Sequence, residues 1–330
     1  MPGPIVIVGA GLSGLIAARD LAAAGRHVVV IDAAAHVGGR LATQQLGSES
    51  LDMGAQFFTT RSNDFGEFVS GFVASGLIYE WCRGFNETDG FPRFACRGGM
   101  NSLAQHLAGG LKDLRLGIEV NSVARRPEGG WRLAWEGGEL DAAAVLLTAP
   151  VPASLALLDA GGVGLDGDID STLRRVVYNR VLAVGALLDR PSAVPAPGAR
   201  QLDDGPFSFV ADNAQKGTSK QTTLTLHASH GFSAEKWDEP DDELLRDLVA
   251  LAAAWIGNAN VAHAVLVRWR GAGPAVALPE RCCVAHHGDH PLVCAGDSFA
   301  GSKVEGAFLS GRAAAAELLA LTSAKGSESE

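Results

Sequence analysis

Ile5-Val6-Ile7-Val8-Gly9-Ala10-Gly11-Leu12-Ser13-Gly14 opens the chain, and Asp32 closes the run His27-Val28-Val29-Val30-Ile31 that follows it. Both β-branched runs read as short buried strands. Residues 12–24 between them, rich in Ala and Leu, read as a helix that stops near Gly25, a suitable C-cap. The result is a βαβ unit. Its first glycine suits a tight turn, its second a close approach of backbone to pyrophosphate, and its third close packing of helix on strand. The helix N-terminus offers N–H groups and partial positive charge to phosphates, and Asp32 at the end of the second strand suits a ribose. By itself the turn does not choose between FAD and NAD.

With 330 residues, the chain exceeds what one compact core usually serves, so two domains or one large insertion are expected. Hydrophobic residues make up 47% and charged residues 19%, ordinary for a globular protein with a substantial core. The formal net charge of −10 argues against nucleic acid or an anionic membrane surface as the main partner. Cys82, Cys96, Cys282, Cys283 and Cys294 form no zinc-type spacing and read as buried thiols in a reducing compartment. No signal peptide and no uncharged run long enough to span a bilayer is visible, so the expected location is cytoplasmic. The polar stretch 323–330 reads as a disordered tail.

Helices are expected at 64–75 and 101–111, and short strands at 118–123, 131–135 and 142–147. From about Pro152 to Arg270 the pattern changes. Alternating segments at 181–188, 222–228 and 264–269 suggest an antiparallel sheet, covered by a helix over 241–256. The Pro-rich stretch 191–197 reads as a surface loop, 292–295 as a buried strand and 304–321 as a long helix. His286, His287, Asp289 and His290 lie in a Gly/Pro turn without the spacing of a helical metal pair, and read as a solvated loop with no metal.

Further motifs narrow the choice of dinucleotide. Gly38-Gly39-Arg40 follows the second strand, then comes Leu51-Asp52-Met53-Gly54-Ala55-Gln56. Near the C-terminus Val293-Cys294-Ala295-Gly296-Asp297 precedes Lys303-Val304-Glu305-Gly306-Ala307. In this order and spacing they resemble the flavin-containing amine oxidase-like superfamily, whose FAD domain is assembled from both chain ends. The resemblance implies an α/β fold, with a Rossmann-type FAD-binding domain (1–60, 96–151 and 282–330) and an inserted mixed or antiparallel-sheet substrate domain (61–95 and 152–281). It implies cofactor contacts at Gly9, Gly11, Leu12, Ser13, Gly14, Asp32, Ala33, Gly39, Arg40, Met53, Gly54, Ala55, Gln56, Val120, Thr148, Gly296, Asp297, Val304, Glu305 and Ala307. The relatives' motif for covalent flavin attachment is missing, so FAD is expected to be held non-covalently.

Within the superfamily the whole chain is most similar to the renalases. Leu51 to Arg61, Leu226-His227-Ala228-Ser229, Arg268-Trp269-Arg270 and the run from Cys294 to Gly311 carry that likeness, and the short length agrees. Renalases oxidise dihydro-NAD(P) isomers with the hydride at ring position 2 or 6, with FAD as hydride acceptor and dioxygen as final acceptor, yielding NAD(P)⁺ and hydrogen peroxide. Such chemistry needs no base, only two rings held at near-attack distance. Gln56, Thr59, Arg61, His227, Trp269 and Arg270 are the substrate-pocket candidates. The plainer readings are a hydrogen-bonded core histidine, a core tryptophan and surface ion pairs for the arginines. The chain has only two tyrosines, Tyr79 and Tyr178, against an amine-guiding aromatic cage. An amine or polyene oxidase, a flavin-binding protein with little turnover, and an NAD-dependent dehydrogenase stay open as alternatives.

Overall fold

In the computed structural model, which describes residues 3–323, the chain divides into two compact units. The first comprises Met1–Gly39, Ala104–Val177 and Gly273–Glu330, the second Arg40–Leu103 and Tyr178–Ala272. The motif-based division into 1–60, 96–151 and 282–330 against the rest follows where a cofactor would lie and stays a proposal.

The first unit is built on a six-stranded sheet in the order Cys283–His286, Leu292–Cys294, Ala144–Leu147, Ile5–Val8, Val28–Asp32, Leu114–Leu116. Cys283–His286 runs antiparallel to its neighbour and the other pairs are parallel. Ile5–Val8, Ala144–Leu147 and Leu292–Cys294 are buried at every position, which is why they read as unbroken apolar runs rather than alternating ones. Val8 stands opposite both Leu147 and Ile31, so the glycine turn leaves the sheet at the carboxyl ends of three parallel strands. Helix Lys303–Ser323 lies tight on helix Leu12–Ala23: a Cβ added to Gly311 would come within 2.3 Å of the Ser13 carbonyl oxygen. Strands Val120–Arg125, Trp131–Trp135 and Gly138–Ala142 form a separate antiparallel sheet.

The second unit holds a five-stranded sheet in the order Ala199–Gln201, Phe207–Asp212, Thr223–Ala228, Tyr178–Leu188, Val261–Pro274. Its side chains alternate between two cores, as the two-residue period of a strand requires. Leu182, Val184, Ala186, Leu224, Leu226 and Ala228 pack with Trp237, Leu244 and Leu248 on one face. Ala183, Leu187, Val265, Val267 and Trp269 meet Leu46, Leu51 and Met53 on the other. Leu46 and Leu51 come from the hairpin Thr43–Leu46 and Glu49–Asp52, and Met53 follows it. Gly185 makes that approach possible, since a Cβ there would meet Leu51 at 2.5 Å and Met53 sulfur at 2.9 Å.

Several expected elements shift. The strand expected at 118–123 is Val120–Arg125, and the run 142–147 is two strands, Gly138–Ala142 and Ala144–Leu147, in different sheets. The helix expected to reach Leu111 ends at Ala108, before the Gly109-Gly110 pair. That over 241–256 is broken at Ala252 into Asp241–Leu251 and Ala253–Ile256. The Pro-rich loop buries one residue, Val194. His286 lies not in a solvated loop but on a strand, tilted against the Trp131 ring at 5.3 Å and 3.1 Å from an Arg125 nitrogen. The tail expected at 323–330 lies outside the described residues except for Ser323, which ends the last helix. No helix among the described residues is long and apolar enough to cross a membrane.

Candidate functional site

In the first unit the three glycines of the opening turn differ in what surrounds them. A Cβ on Gly14 would come within 2.0 Å of the Gly9 carbonyl oxygen, and one on Gly9 (φ +115°) within 2.4 Å of Thr148 Oγ1. Protein closes both positions. Gly11, at φ −73° and ψ 178°, has a backbone any residue can adopt, and a Cβ there would meet no protein atom within 4 Å. Nothing in the fold requires glycine at that point; a ligand brought against the backbone would.

The surroundings of Gly11 suit an anion. Helix Leu12–Ala23 begins with no side-chain cap and no acidic residue in its first turn, so its terminal N–H groups are left to another partner. Ser13 is 4% exposed and its buried Oγ has no hydrogen-bond partner among the described residues. Such a group costs about 1–3 kcal/mol unless a bound acceptor completes it. The Asp32 carboxylate accepts from Ala10 N at 2.6 Å and Ala34 N at 2.7 Å, one to each oxygen, which leaves lone pairs for ribose hydroxyls. Gly38 N donates to Ala10 O at 2.8 Å and bridges to Gly11, bringing Gly38-Gly39 alongside the turn. Thr148 Oγ1 lies 3.0 Å from the Val8 carbonyl oxygen and anchors the turn from the neighbouring strand.

The C-terminal motif belongs to the same unit. Gly296 (φ +132°) donates its N–H to buried Ser310 Oγ at 2.9 Å, and Asp297 beside it is buried. The segment leads into helix Lys303–Ser323, where a Cβ on Gly306 would overlap the Gly301 carbonyl oxygen at 1.5 Å. Val304 is buried and Glu305 and Ala307 are half-buried in its first turn. Val120 is buried at the start of its strand, and Ala33 is exposed after Asp32. The open space at Gly11, the orphan Ser13 hydroxyl, the uncapped helix and the Asp32 carboxylate fit a dinucleotide's pyrophosphate and ribose.

In the second unit the residues Met53, Gln56, His227 and Trp269 come together. Trp269 Nε1 donates to the Met53 carbonyl oxygen at 2.9 Å, and His227 Nε2 lies 3.2 Å from the same oxygen. Burial pushes the His227 pKa down to about 4, so the imidazole is neutral at pH 7. Gln56 is 4% exposed and directs its amide nitrogen to Asp52 O at 2.5 Å and Gly54 O at 3.1 Å. Ala55 N donates to Arg40 O at 2.8 Å, and Gly54 has no room for a side chain because that same oxygen stands 2.0 Å from its Cβ position.

The remaining pocket candidates do not join this group. Thr59 is half-buried with no hydrogen-bond partner among the described residues. Arg61 is exposed, its guanidinium 5.2 Å from the Phe91 ring centre. Arg270 follows Trp269 on the same strand and therefore points to the opposite face, where it lies 5.8 Å from the Trp237 ring centre. Arg40 stands 5.6 Å over the Tyr178 ring.

One pair of residues beside this group has no sequence signal. Lys216 Nζ lies 2.5 Å from Asp52 Oδ2, with both side chains wholly buried. The lysine also reaches Gln56 Oε1 at 3.3 Å. Burial, reinforced by the Asp52 carboxylate, pushes both Tyr79 and Cys96 up to about 12, so both stay protonated. Asp52 was legible as part of its motif, but its partner is 164 residues away on the short helix Asn213–Lys216. Ser310 falls in the run Cys294–Gly311 that carries the likeness, but nothing in the sequence marked its hydroxyl as the acceptor for the Gly296 N–H.

Residues 64–319 match the family described as flavin containing amine oxidoreductase, and residues 7–72 match an NAD(P)-binding Rossmann-like domain. A putrescine oxidase of Kocuria rosea is 46% identical over 55 residues, which is 17% of this chain and 12% of that protein. An L-amino-acid oxidase of Sistrurus catenatus edwardsii is 39% identical over 71 residues, 22% of this chain and 14% of that protein. These matches thus span only a small part of the relatives' length. A solved putrescine oxidase bound to putrescine superposes with a TM-score of 0.71 at 17% identity, covering 96% of this chain and 99% of that one. A protein of Exiguobacterium sp. 255-15 described as a protoporphyrinogen oxidase gives 0.72 at 14% identity, with the same coverage. The likeness at that identity establishes the fold: an amine oxidase-like, two-domain α/β fold with a Rossmann-type dinucleotide-binding domain.

Proposed function

This chain belongs to the flavin containing amine oxidoreductase family, with FAD as its cofactor, and we propose that it oxidises dihydro-NAD(P) isomers carrying the hydride at ring position 2 or 6. The isomeric dihydronicotinamide, dioxygen and a proton give NAD(P)⁺ and hydrogen peroxide. Bound FAD supplies the hydride acceptor and returns the electrons to dioxygen. The chain's own residues bind and orient.

In this reading Gly11, Leu12, Ser13 and Gly14 take the pyrophosphate, with Gly39 beside them, and Asp32 takes the ribose. Thr148, Gly296, Asp297 and the first turn of Lys303–Ser323 complete the first unit's contacts to a non-covalent FAD, and Arg40 and Met53 to Gln56 are the second unit's candidate contacts. His227 and Trp269 line the substrate side, and Gln56 is buried against Asp52 and Gly54.

The observation that carries the substrate class is that, among the described residues, no base suited to neutral pH stands beside Met53. His227 is neutral with its pKa near 4 and so is poorly suited to take a proton at pH 7, and Lys216 is held by Asp52. Hydride loss from a dihydropyridine needs no base, whereas an amine substrate must first be neutral. Tyr79 donates its hydroxyl to the Lys216 carbonyl and Tyr178 lies under Arg40, so both tyrosines are already engaged by protein. An amine or polyene substrate is the second reading, favoured by the family match itself. Oxygen uptake and peroxide formation with purified 2- and 6-dihydro-NAD(P), set against putrescine and other amines, separate the two. Peroxide from amines alone would overturn the proposal.

A further inference from the structure

We propose that Asp52 and Lys216 are positioning residues: their buried ion pair fixes the Met53 carbonyl, which in turn holds His227 as the Nε2–H tautomer with Nδ1 left as an acceptor for substrate. The proposal rests on the reading that His227 lines the substrate side.

Asp52 joins more of the second unit than any role in a turn requires. Its Oδ1 accepts from Thr43 Oγ1 at 2.5 Å and Met100 N at 2.8 Å, and its Oδ2 accepts from Lys216 Nζ at 2.5 Å. Its N–H donates to Asn213 Oδ1 at 3.3 Å, and its carbonyl accepts from Thr225 Oγ1 at 2.8 Å. Gly99 leaves space for this, since a Cβ there would come within 2.9 Å of Asp52 Oδ1. Lys216 is equally committed. Its ammonium faces Asp52, Gln56 Oε1 at 3.3 Å and the Trp81 ring centre at 5.4 Å, one direction for each hydrogen. A fully engaged cation is not a base; it orients its neighbours. Buried ion pairs add little net stability over an apolar pair of the same volume, which leaves fixed orientation as the use of this one.

Met53 is the next residue. Its own N–H donates to Ala42 O at 2.9 Å, and Ala55 is held by Arg40 O, so the peptide after Asp52 is fixed at both ends. Its carbonyl therefore stays within reach of Trp269 Nε1 and His227 Nε2. A carbonyl only accepts, so the His227 proton sits on Nε2 and the Nδ1 lone pair is free. Nδ1 has no partner among the described residues, and His227 as a residue is half-buried. The nearby Lys216 charge also opposes a second proton on the ring. An amide N–H₂, such as a nicotinamide carboxamide, is the donor this acceptor suits.

Two-bond nitrogen–proton correlation spectra of the ¹⁵N-histidine-labelled holoenzyme test the arrangement, with the His227 signal identified by its loss in His227→Gln. Neutral Nε2–H is expected at pH 7. In the paired variant Asp52→Asn/Lys216→Met the two tautomers should mix. KM for the dihydronicotinamide should rise roughly tenfold, as for one lost hydrogen bond, with kcat changed less than about threefold. Asp52→Asn/Lys216→Gln, which keeps a polar group at both positions and strands no charge, provides the same readout if the paired variant does not fold. Nδ1–H in the unmodified protein, or an unchanged tautomer in a folded variant, would overturn the proposal. A tautomer shift as stated, with no dihydronicotinamide oxidised, supports the positioning device and removes the substrate assignment instead.

Discussion

Replacing Gly11 separates the cofactor site from the fold more cleanly than any other single change. Its backbone angles are those of an ordinary extended residue, and an added Cβ meets no protein atom within 4 Å. Gly11→Ala should therefore leave the apoprotein as stable as before, or stabilise it by about 0.4–1 kcal/mol through the reduced freedom of the unfolded chain. The same methyl group lies where a pyrophosphate must approach. Losing one or two charge-assisted hydrogen bonds, at about 1.5–3 kcal/mol each, weakens FAD binding by roughly ten- to a thousandfold or more. Gly11→Val, with a larger side chain, should yield colourless protein. Gly14→Ala is the control with the opposite signature: its Cβ would fall 2.0 Å from the Gly9 carbonyl oxygen, so the apoprotein itself should lose stability. Urea midpoints of the three apoproteins and flavin-fluorescence titrations with FAD measure the two quantities separately. A Gly11→Val protein that purifies fully yellow would refute the phosphate-turn assignment, as would an apo Gly11→Ala less stable than apo Gly14→Ala.

Asp32→Ala should weaken FAD binding by removing the ribose acceptor and loosening the Ala10 and Ala34 amides it holds; unchanged affinity in the same titration takes Asp32 out of the site. Acid precipitation should release all flavin into the supernatant, and colour retained on the chain would show a covalent link. Lys216→Met alone strands a buried carboxylate and should cost about 3–5 kcal/mol in urea denaturation, whereas adding Asp52→Asn should recover most of that; equal losses would contradict the ion pair. His227 carries its own pH dependence. Its folded pKa of about 4 lies below the ordinary 6.5, so the unfolded chain binds the extra proton first and stability falls as pH drops from 6.5 toward 4. The full effect is of the order of 3 kcal/mol, and a His227→Gln protein with the same slope over that range would show that the histidine is not its source.

The first unit was legible because its signals are local. Four β-branched residues, three glycines and an Ala-rich helix lie within a few residues of each other, and each states its own geometry. The second unit was legible only as an alternating sheet. Its hairpin Thr43–Leu46 and Glu49–Asp52 is hidden by Gln44, Gln45 and Ser50, polar residues that interrupt the apolar pattern of two four-residue strands. The run 142–147 misled for the opposite reason, since a continuous apolar stretch conceals the point where the chain leaves one sheet for another at Ala143. Arg270 was misplaced because its likeness to a motif says nothing of which sheet face it occupies, while the alternation with Trp269 does. The Asp52–Lys216 pair could not be foreseen at all: it joins residues from a hairpin and a short helix that only the folded sheet brings together.

The most direct test of the proposed activity is anaerobic stopped-flow absorbance of the purified yellow protein mixed with separated 2-, 4- and 6-dihydro-NAD. The account predicts fast bleaching of the flavin band by the 2- or 6-isomer, with the ordinary 4-isomer slow and NAD⁺ formed in equal amount. Bleaching by putrescine or another amine, with none of the dihydronicotinamides reacting, would contradict it.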